Sequence, residues 1–144
     1  MSAYRHKKED HVTRSERETF QLAKKLAEGF SGNEVVFLVG ELGAGKTVFT
    51  KGIAAGLGLK NIHQVCSPSF TLLNIYQARC PIYHLDLYRL NKESEIQELG
   101  FEDYLGAGVV IIEWAEKLKF DGEAVRVTIQ IGKGDERRIS IRFI

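Results

Sequence analysis

The segment that most constrains the fold is residues 40–47, GELGAGKT, which match the phosphate-loop pattern GxxxxGK[ST] at every fixed position. Five consecutive apolar residues, 35–39, precede it and are typical of a strand buried on both faces. A helical segment over about residues 46–57 follows. A phosphate loop joins a buried strand to a helix whose free N–H groups receive a phosphate. The segment therefore predicts an α/β fold with a nucleotide site.

Each position of this loop has a chemical reason. The glycines permit positive φ and let backbone amides approach a phosphate without an intervening Cβ. Lys46 is expected to reach the β- and γ-phosphates of ATP as a mobile point charge, and the Thr47 hydroxyl is expected to ligate Mg²⁺. The predicted nucleotide-binding residues in and beside the loop are Glu41, Leu42, Gly43, Ala44, Gly45, Lys46, Thr47 and Val48.

Hydrophobic periodicity predicts the remaining elements. Two overlapping capping-box patterns, TRSE at residues 13–16 and SERE at 15–18, predict the start of a helix that ends near residue 30. The other predicted elements are a short helix at 91–98, a helical turn at 101–105, and strands at 70–76, 82–88, 109–112, 124–131 and 137–143. Residues 1–12 are polar and are expected to be flexible. This order predicts a single domain spanning residues 1–144. The predicted fold is a P-loop NTPase-like three-layer α/β fold, in which helices flank a mixed sheet that is parallel near the loop.

The stretch SPSFT at residues 67–71 is rich in hydroxyls and follows the first α/β unit. Switch loops that sense a γ-phosphate lie at this place in nucleotide-binding folds. Ser69 or Thr71 is therefore a candidate to bond that phosphate or to complete the Mg²⁺ shell. A capped turn that leads into a strand is the alternative interpretation.

The stretch YHLDLYR at residues 83–89 predicts a strand with His84, Asp86 and Tyr88 on one face. Polar groups in line on an interior strand are costly to bury unless a partner uses them. Asp86 is therefore a candidate catalytic residue that orients the attacking water or a Mg²⁺-bound water. For His84, a hydrogen-bonded position in the core is the simpler interpretation.

The stretch VVIIEW at residues 109–114 resembles a Walker B strand, with four apolar residues followed by an acid. This pattern places Glu113 where a phosphate-bound metal lies, so Glu113 is the second candidate Mg²⁺ ligand after Thr47. For Trp114, core packing, a place in the site and a partner surface all stay open.

Composition limits the partners. The net charge is +1, so no overall field directs the chain to DNA or to an acidic membrane, although residues 126–144 hold five Lys/Arg against Asp135 and Glu136. That segment is either a solvated strand face or a docking surface for RNA or an acidic partner. No apolar run approaches the roughly 20 residues that span a bilayer. Two isolated cysteines and no export signal predict a cytoplasmic protein.

The sequence lacks the motifs that are typical of other classes of phosphate-loop protein. A GTPase normally has an NKxD guanine reader late in the chain, and the only near match, NKES at residues 91–94, has no Asp. A small-molecule kinase, the main alternative, needs an Arg-rich lid, and none is visible.

The motifs GELGAGKT, SPSFT, YHLDLYRL and IIEW, in this order and spacing, resemble those of the bacterial TsaE (YjeE) family over nearly the whole chain. The family usually has Thr at the position of Ser69, which keeps the hydroxyl and loses a methyl group. The resemblance implies a small Mg²⁺-dependent ATPase needed for N6-threonylcarbamoyladenosine at position 37 of tRNAs that read ANN codons. It also implies binding to the TsaB–TsaD heterodimer, which ATP hydrolysis resets, with weak hydrolysis by the isolated protein and only indirect contact with tRNA.

The resemblance also implies residue roles. Lys46, Asp86 and Glu113 are the expected catalytic residues, with Thr47 and Glu113 on Mg²⁺, Asp86 positioning water, and Ser69 with Thr71 reading the γ-phosphate. Adenine is expected between the start of the N-terminal helix and the C-terminal hairpin. The residues expected there are Thr13, Ser15 or Thr19 on the first side and Gly132 and Lys133 on the second.

Overall fold

A computed structural model describes residues 7–41, 43–118 and 120–144 of the chain. Its strands are β1 Lys8–Thr13, β2 Val35–Gly40, β3 Leu73–Gln77, β4 Pro81–Asp86, β5 Val109–Glu113, β6 Val125–Ile131 and β7 Arg137–Phe143. Its α-helices are α1 Glu16–Glu28, α2 Lys46–Gly56 and α3 Glu93–Glu98, and short 3₁₀ helices are Ile62–Gln64, Phe101–Tyr104 and Ala115–Lys117. No helix in these ranges is long and apolar enough to cross a membrane.

The strands form one sheet in the order β1-β7-β6-β2-β5-β4-β3. β2 pairs in parallel with both β5 and β6, and β4 pairs in parallel with β5, while β1, β3 and β7 join antiparallel. The predicted mixed sheet and both predicted hairpins are confirmed. Because β2, β4 and β5 run in parallel, their carboxyl ends meet at one edge, the place where α/β sheets bind ligands.

Helices cover the sheet on both faces, which confirms the three-layer architecture. On one face, α1 and α2 bury Ala23, Phe49 and Ile53 against inward side chains of β2, β5, β6 and β7. The two helices approach closely, because a Cβ at Gly52 would lie 2.5 Å from both the Phe20 carbonyl oxygen and the Ala23 Cβ. On the other face, α3 and two 3₁₀ helices cover β2, β4 and β5, with Ile96 among the buried residues.

The start of α1 uses the second of the two capping-box patterns. Ser15 is the N-cap, and its Oγ accepts a hydrogen bond from the Glu18 backbone N–H at 3.1 Å. The Glu18 carboxylate accepts from the Arg14 N–H at 2.9 Å. Thr13 instead ends β1 and bonds through its hydroxyl to the Thr19 hydroxyl at 2.6 Å. The first pattern was therefore a wrong choice of cap, and α1 ends at Glu28 rather than near residue 30.

The sequence did not predict β1. Residues 8–13 pair antiparallel with β7 from Lys8 opposite Arg142 to Thr13 opposite Arg137. Val12 is the only apolar residue of β1 and is itself exposed, so the strand has no apolar face to reveal it. Main-chain hydrogen bonds hold it at the sheet edge. Residues 1–12 were expected to be flexible, and this is wrong for residues 8–12, which lie in β1. Residues 1–6 lie outside the described ranges.

Two predicted strands are shorter than expected, each because of a turn. The Leu72 N–H donates to the Pro68 carbonyl at 2.8 Å and Leu72 has a φ of 68°, so a turn occupies residues 68–72 and β3 begins at Leu73. The Asp86 carboxylate accepts from the Tyr88 N–H at 2.9 Å, which bends the chain directly after β4. Tyr88 therefore does not share a strand face with His84 and Asp86, as the alternation predicted.

Candidate nucleotide-binding site

The phosphate loop has the predicted strand–turn–helix context. It leaves β2 at Gly40 and enters α2 at Lys46, and the Ala44 N–H donates to the Glu41 carbonyl at 3.0 Å within the turn. Gly43 and Gly45 have φ values of 79° and 109°, in the left-handed region that other residues rarely adopt. The loop geometry thus explains two of the motif's glycines by backbone conformation, and Leu42 lies outside the described residues.

Lys46 is buried beside an acid and an aromatic ring. Its side chain is 7% exposed, and its Nζ lies 3.8 Å from Glu113 Oε1 and 4.5 Å from the centre of the Trp114 ring. Trp114 has a φ of 62° immediately after β5, which turns its ring towards the loop, and the ring packs on Tyr88. Of the three interpretations open for Trp114, the structure shows two together, because the ring lies beside Lys46 and also packs against the core on the α3 side of the sheet.

Glu113 and Asp86 emerge side by side. They end β5 and β4 and are direct partners in the parallel register, and Glu113 is also the register partner of Leu38 in β2. Both acids are buried. The name phosphate-loop edge is used below for Lys46, His84, Asp86, Glu113 and Trp114 at the carboxyl ends of these three strands.

The Glu113 carboxylate is held from below by His84. His84 Nε2 lies 2.6 Å from Glu113 Oε2, and the fully buried imidazole places its Nδ1 3.3 Å from the Tyr76 hydroxyl. Burial raises the pKa of Tyr76, so its hydroxyl stays protonated and donates to the Cys66 carbonyl at 3.1 Å. His84 is a satisfied core histidine, as expected, but the group it satisfies is the predicted metal ligand.

Asp86 is linked to the hydroxyl-rich loop. Its Oδ2 accepts from the Ser67 hydroxyl at 3.4 Å, and that hydroxyl lies 3.0 Å from the Ser69 hydroxyl. The Thr71 hydroxyl instead donates to Asn74 Oδ1 at 2.9 Å. Ser69 is therefore connected to Asp86 through the Ser67 hydroxyl. Thr71 bonds instead to a residue near the start of β3.

The residues present suit Mg²⁺. Thr47 lies half-buried in the first turn of α2, and Glu113 ends the neighbouring strand, so a hydroxyl and a carboxylate offer the oxygen ligands that Mg²⁺ prefers. Glu113 Oε1 is 3.8 Å from Lys46 Nζ, beyond ordinary hydrogen-bond length, so its lone pairs are available to a cation.

The two segments predicted to hold adenine are neighbours. Thr13 is the register partner of Arg137, and Gly132 and Lys133 form the β6–β7 turn just before that residue. Gly132, Lys133 and Glu41 line one open cleft of about 800 Å³ beside the phosphate loop. The hydroxyls of Thr13 and Ser15 are engaged in the bonds that start α1. The adenine role of all four residues stays a prediction. Gly132 and Lys133 line the cleft beside the phosphate loop, and Thr13 and Ser15 are not among its lining residues.

Comparison with known proteins identifies the family. The family model described as "Threonylcarbamoyl adenosine biosynthesis protein TsaE" matches residues 13–140. The chain belongs to the TsaE family. The TsaE of Bacillus subtilis (strain 168) is 41% identical over 131 residues, which cover 88% of this chain and 80% of that protein. The TsaE of Rickettsia typhi is 39% identical over 135 residues, covering 92% and 93%.

A solved structure shares the fold. The structure titled "Crystal structure of Bacillus subtilus YdiB" superposes with a TM-score of 0.77 at 32% identity, covering 99% of this chain and 89% of that one. The predicted family and the P-loop NTPase-like α/β fold are therefore both confirmed.

One residue of this TsaE family member was missed by sequence reasoning. Arg137 donates from Nε to the Ala44 carbonyl at 3.0 Å and lies 3.5 Å from the Gly43 carbonyl. It therefore clamps the phosphate loop from the C-terminal hairpin. No local sequence pattern marks Arg137. The contact depends on the pairing of β6 with β2, which places the start of β7 next to the loop.

A second cleft contains none of the predicted nucleotide-binding or catalytic residues. It measures about 450 Å³ and lies at the opposite end of the sheet, lined among others by Phe30, Glu34, Ala124 and Phe143. The phosphate loop, Asp86 and Glu113 do not border it. The phosphate-loop edge and its cleft are therefore the candidate site of this TsaE family member.

Proposed function

We propose that this chain is a Mg²⁺-dependent ATPase of tRNA N6-threonylcarbamoyladenosine biosynthesis. In this proposal it acts in the cytoplasm, on the pathway that modifies position 37 of tRNAs reading ANN codons. It binds a TsaB–TsaD heterodimer, and ATP hydrolysis resets that complex between rounds. Contact with tRNA in this function is made through those partners. Membership of the TsaE family supports the pathway.

One observation carries the hydrolytic part of the proposal: buried Lys46, Asp86 and Glu113 converge at the end of a phosphate loop. Within the described part of the chain, the partners of Lys46 Nζ are an ion pair and a ring face, so it can turn to the β- and γ-phosphates of bound ATP. The glycine-rich backbone and the N-terminus of α2 receive the phosphate oxygens. Arg137 keeps the loop in shape by holding two of its carbonyls.

Asp86 is the residue proposed to position the attacking water. Each carboxylate oxygen has two lone pairs, and the bonds from the Tyr88 N–H and the Ser67 hydroxyl use one on each. The remaining acceptor capacity can fix a water molecule, and the Ser67–Ser69 hydroxyl pair lies on the side where the γ-phosphate would be sensed. Thr47 and Glu113 would hold Mg²⁺, which when bound neutralises charge on the phosphates.

The proposal is tested by measuring inorganic phosphate release from ATP with the purified full-length chain, alone and with the TsaB–TsaD complex of the same organism. Slow release alone and faster release with the complex is the expected result. Lys46→Ala is expected to abolish the release, whereas the matched control Lys60→Ala, an exposed lysine in the loop after α2, is expected to hydrolyse normally.

Two outcomes would contradict the proposal. Absence of stimulation under conditions where the three proteins co-purify would remove the coupling to TsaB–TsaD. Consumption of ATP with the phosphate recovered on a metabolite instead of in water would favour the alternative, a small-molecule kinase.

A further inference from the structure

Among the residues that the structure describes, no helix covers half of the sheet's second face. α3 and its neighbouring 3₁₀ helices cover β2, β4 and β5, but β6, β7 and β1 have their buried side chains only on the face of α1 and α2. The name basic sheet face is used for the outward side chains of these three strands. They are Lys8, Asp10 and Val12 on β1, Arg126, Thr128 and Gln130 on β6, and Arg138, Ser140 and Arg142 on β7.

Three cations stand in a row across this face. Arg142 is the direct register partner of Arg126 on one side and of Lys8 on the other. Neighbouring strands lie about 4.8 Å apart, so the three side chains start close together. Like charges directly opposite each other destabilise a sheet. The fold therefore places these cations where they cost stability rather than add it.

The positive charge of the face is hardly compensated. It has four cations, and its single carboxylate, Asp10, pairs loosely with Lys8 at 3.9 Å. Among the described residues, Arg138 and Arg142 have no ion pair, and Arg126 has only a distant contact with the Phe37 ring at 6.0 Å. The arginines are exposed, so the guanidinium groups are available to a ligand.

The chemistry of the face suits phosphodiesters. Arginine presents a planar fork of donors that matches phosphate, and Ser, Thr and Gln side chains donate to phosphate and sugar oxygens. Thr128, Gln130 and Ser140 lie between the cations in register. No aromatic residue is among the nine on this face, so it offers no platform on which bases could stack.

We propose that the basic sheet face of this protein binds the phosphate backbone of RNA directly and without sequence preference. This goes beyond the proposed function, in which tRNA is reached only through protein partners. An open groove of about 520 Å³ runs along this face. Thr128, Gln130 and Arg138 line both this groove and the cleft beside the phosphate loop, so bound RNA would lie next to the nucleotide site.

The test is fluorescence anisotropy of the full-length chain with a labelled single-stranded RNA over a series of salt concentrations, without nucleotide or protein partners. The variant is R126Q/R142Q, which removes two charges from the row of three cations. Neither mutated residue lines the cleft beside the phosphate loop. The matched control is R17Q/K25Q, two exposed cations on α1 at the opposite face of the molecule, which changes the net charge equally.

The expected result is that the variant weakens RNA binding about tenfold or more at low salt, while the control stays within about twofold. The slope of log K against log salt should become shallower by about 1.4, because each lost single-strand phosphate contact removes about 0.7. Since no ATP is present, a failure of the proposed ATPase would leave this result unchanged.

Three results would overturn the proposal. The first is no RNA binding by the wild-type chain at low salt. The second is an equal loss in R17Q/K25Q, which would assign the binding to net charge rather than to this face. The third is binding of a labelled polyglutamate of equal charge more tightly than the RNA, with the loss in R126Q/R142Q confined to polyglutamate, which would identify the ligand as an acidic polypeptide.

Discussion

At the phosphate-loop edge Lys46, His84 and Glu113 are at most 7% exposed, and Glu113 contacts both of the others. On the basic sheet face Arg126 and Arg142 are exposed and face each other. Both regions lie on one sheet. The first compensates its charges internally, as buried ions require. The second leaves its charges to the solvent, where they are inexpensive singly and repel only modestly.

This contrast separates two kinds of mutational effect. Removing one member of the phosphate-loop edge leaves a buried partner without compensation, so stability and activity should change together. Removing a cation from the basic sheet face relieves repulsion, so binding should change and stability should not.

The largest effect is expected from Asp86→Asn. The amide keeps the size of the side chain and can still accept from the Tyr88 N–H, but it loses the charge that orients water. Partner-stimulated phosphate release should fall by about two to four orders of magnitude. Phosphate release should be unaffected by the control Asp121→Asn, at an exposed position that is not part of the phosphate-loop edge. Normal turnover in Asp86→Asn would reduce Asp86 to the residue that ends β4.

The next effect compares two ion pairs of nearly equal length. Lys46 Nζ and Glu113 Oε1 are 3.8 Å apart with side chains 7% and 4% exposed, and Lys8 Nζ and Asp10 Oδ2 are 3.9 Å apart with side chains 58% and 70% exposed. Double-mutant cycles with Lys46→Met and Glu113→Gln, and with Lys8→Met and Asp10→Asn, isolate each pair. Urea unfolding without nucleotide measures the free energies.

The buried pair is expected to couple by about 1–3 kcal/mol, and the exposed pair by less than about 0.5 kcal/mol. Burial decides the difference, because the distances are alike. Equal coupling energies would show that the phosphate-loop edge is solvated as freely as the sheet surface, and the contrast between the two regions would then fail.

Local patterns were enough to predict the core of the site. The apolar runs that become β2 and β5, together with the glycines of the loop, predicted that Lys46 begins the helix after the loop and that Glu113 ends a buried strand. Sequence reasoning could not find β1, whose only apolar residue is exposed Val12 and whose stability comes from main-chain bonds to β7.

Side-chain contacts that depend on topology were also beyond sequence reasoning. Arg137 reaches the Ala44 carbonyl only because β6 pairs with β2, and the basic residues of β1 and β7 form a row only because Lys8 aligns with Arg142. Tyr88 was placed wrongly because the Asp86 side chain, not the alternation of the strand, sets the direction of the chain after β4.

The smallest effect is expected for the stability of R126Q/R142Q. Its free energy of unfolding should lie within about 0.5 kcal/mol of the wild-type value. At low salt the variant should be slightly more stable than the wild type, because it removes two like charges that face each other. Added salt should stabilise the wild type more than the variant, since salt screens only a repulsion that is present. Urea unfolding at low and high salt measures both quantities. A loss of about 2 kcal/mol or more would mean that the arginine stems pack as part of the fold. The cations of the basic sheet face would then resemble Lys46 at the phosphate-loop edge, whose side chain is buried.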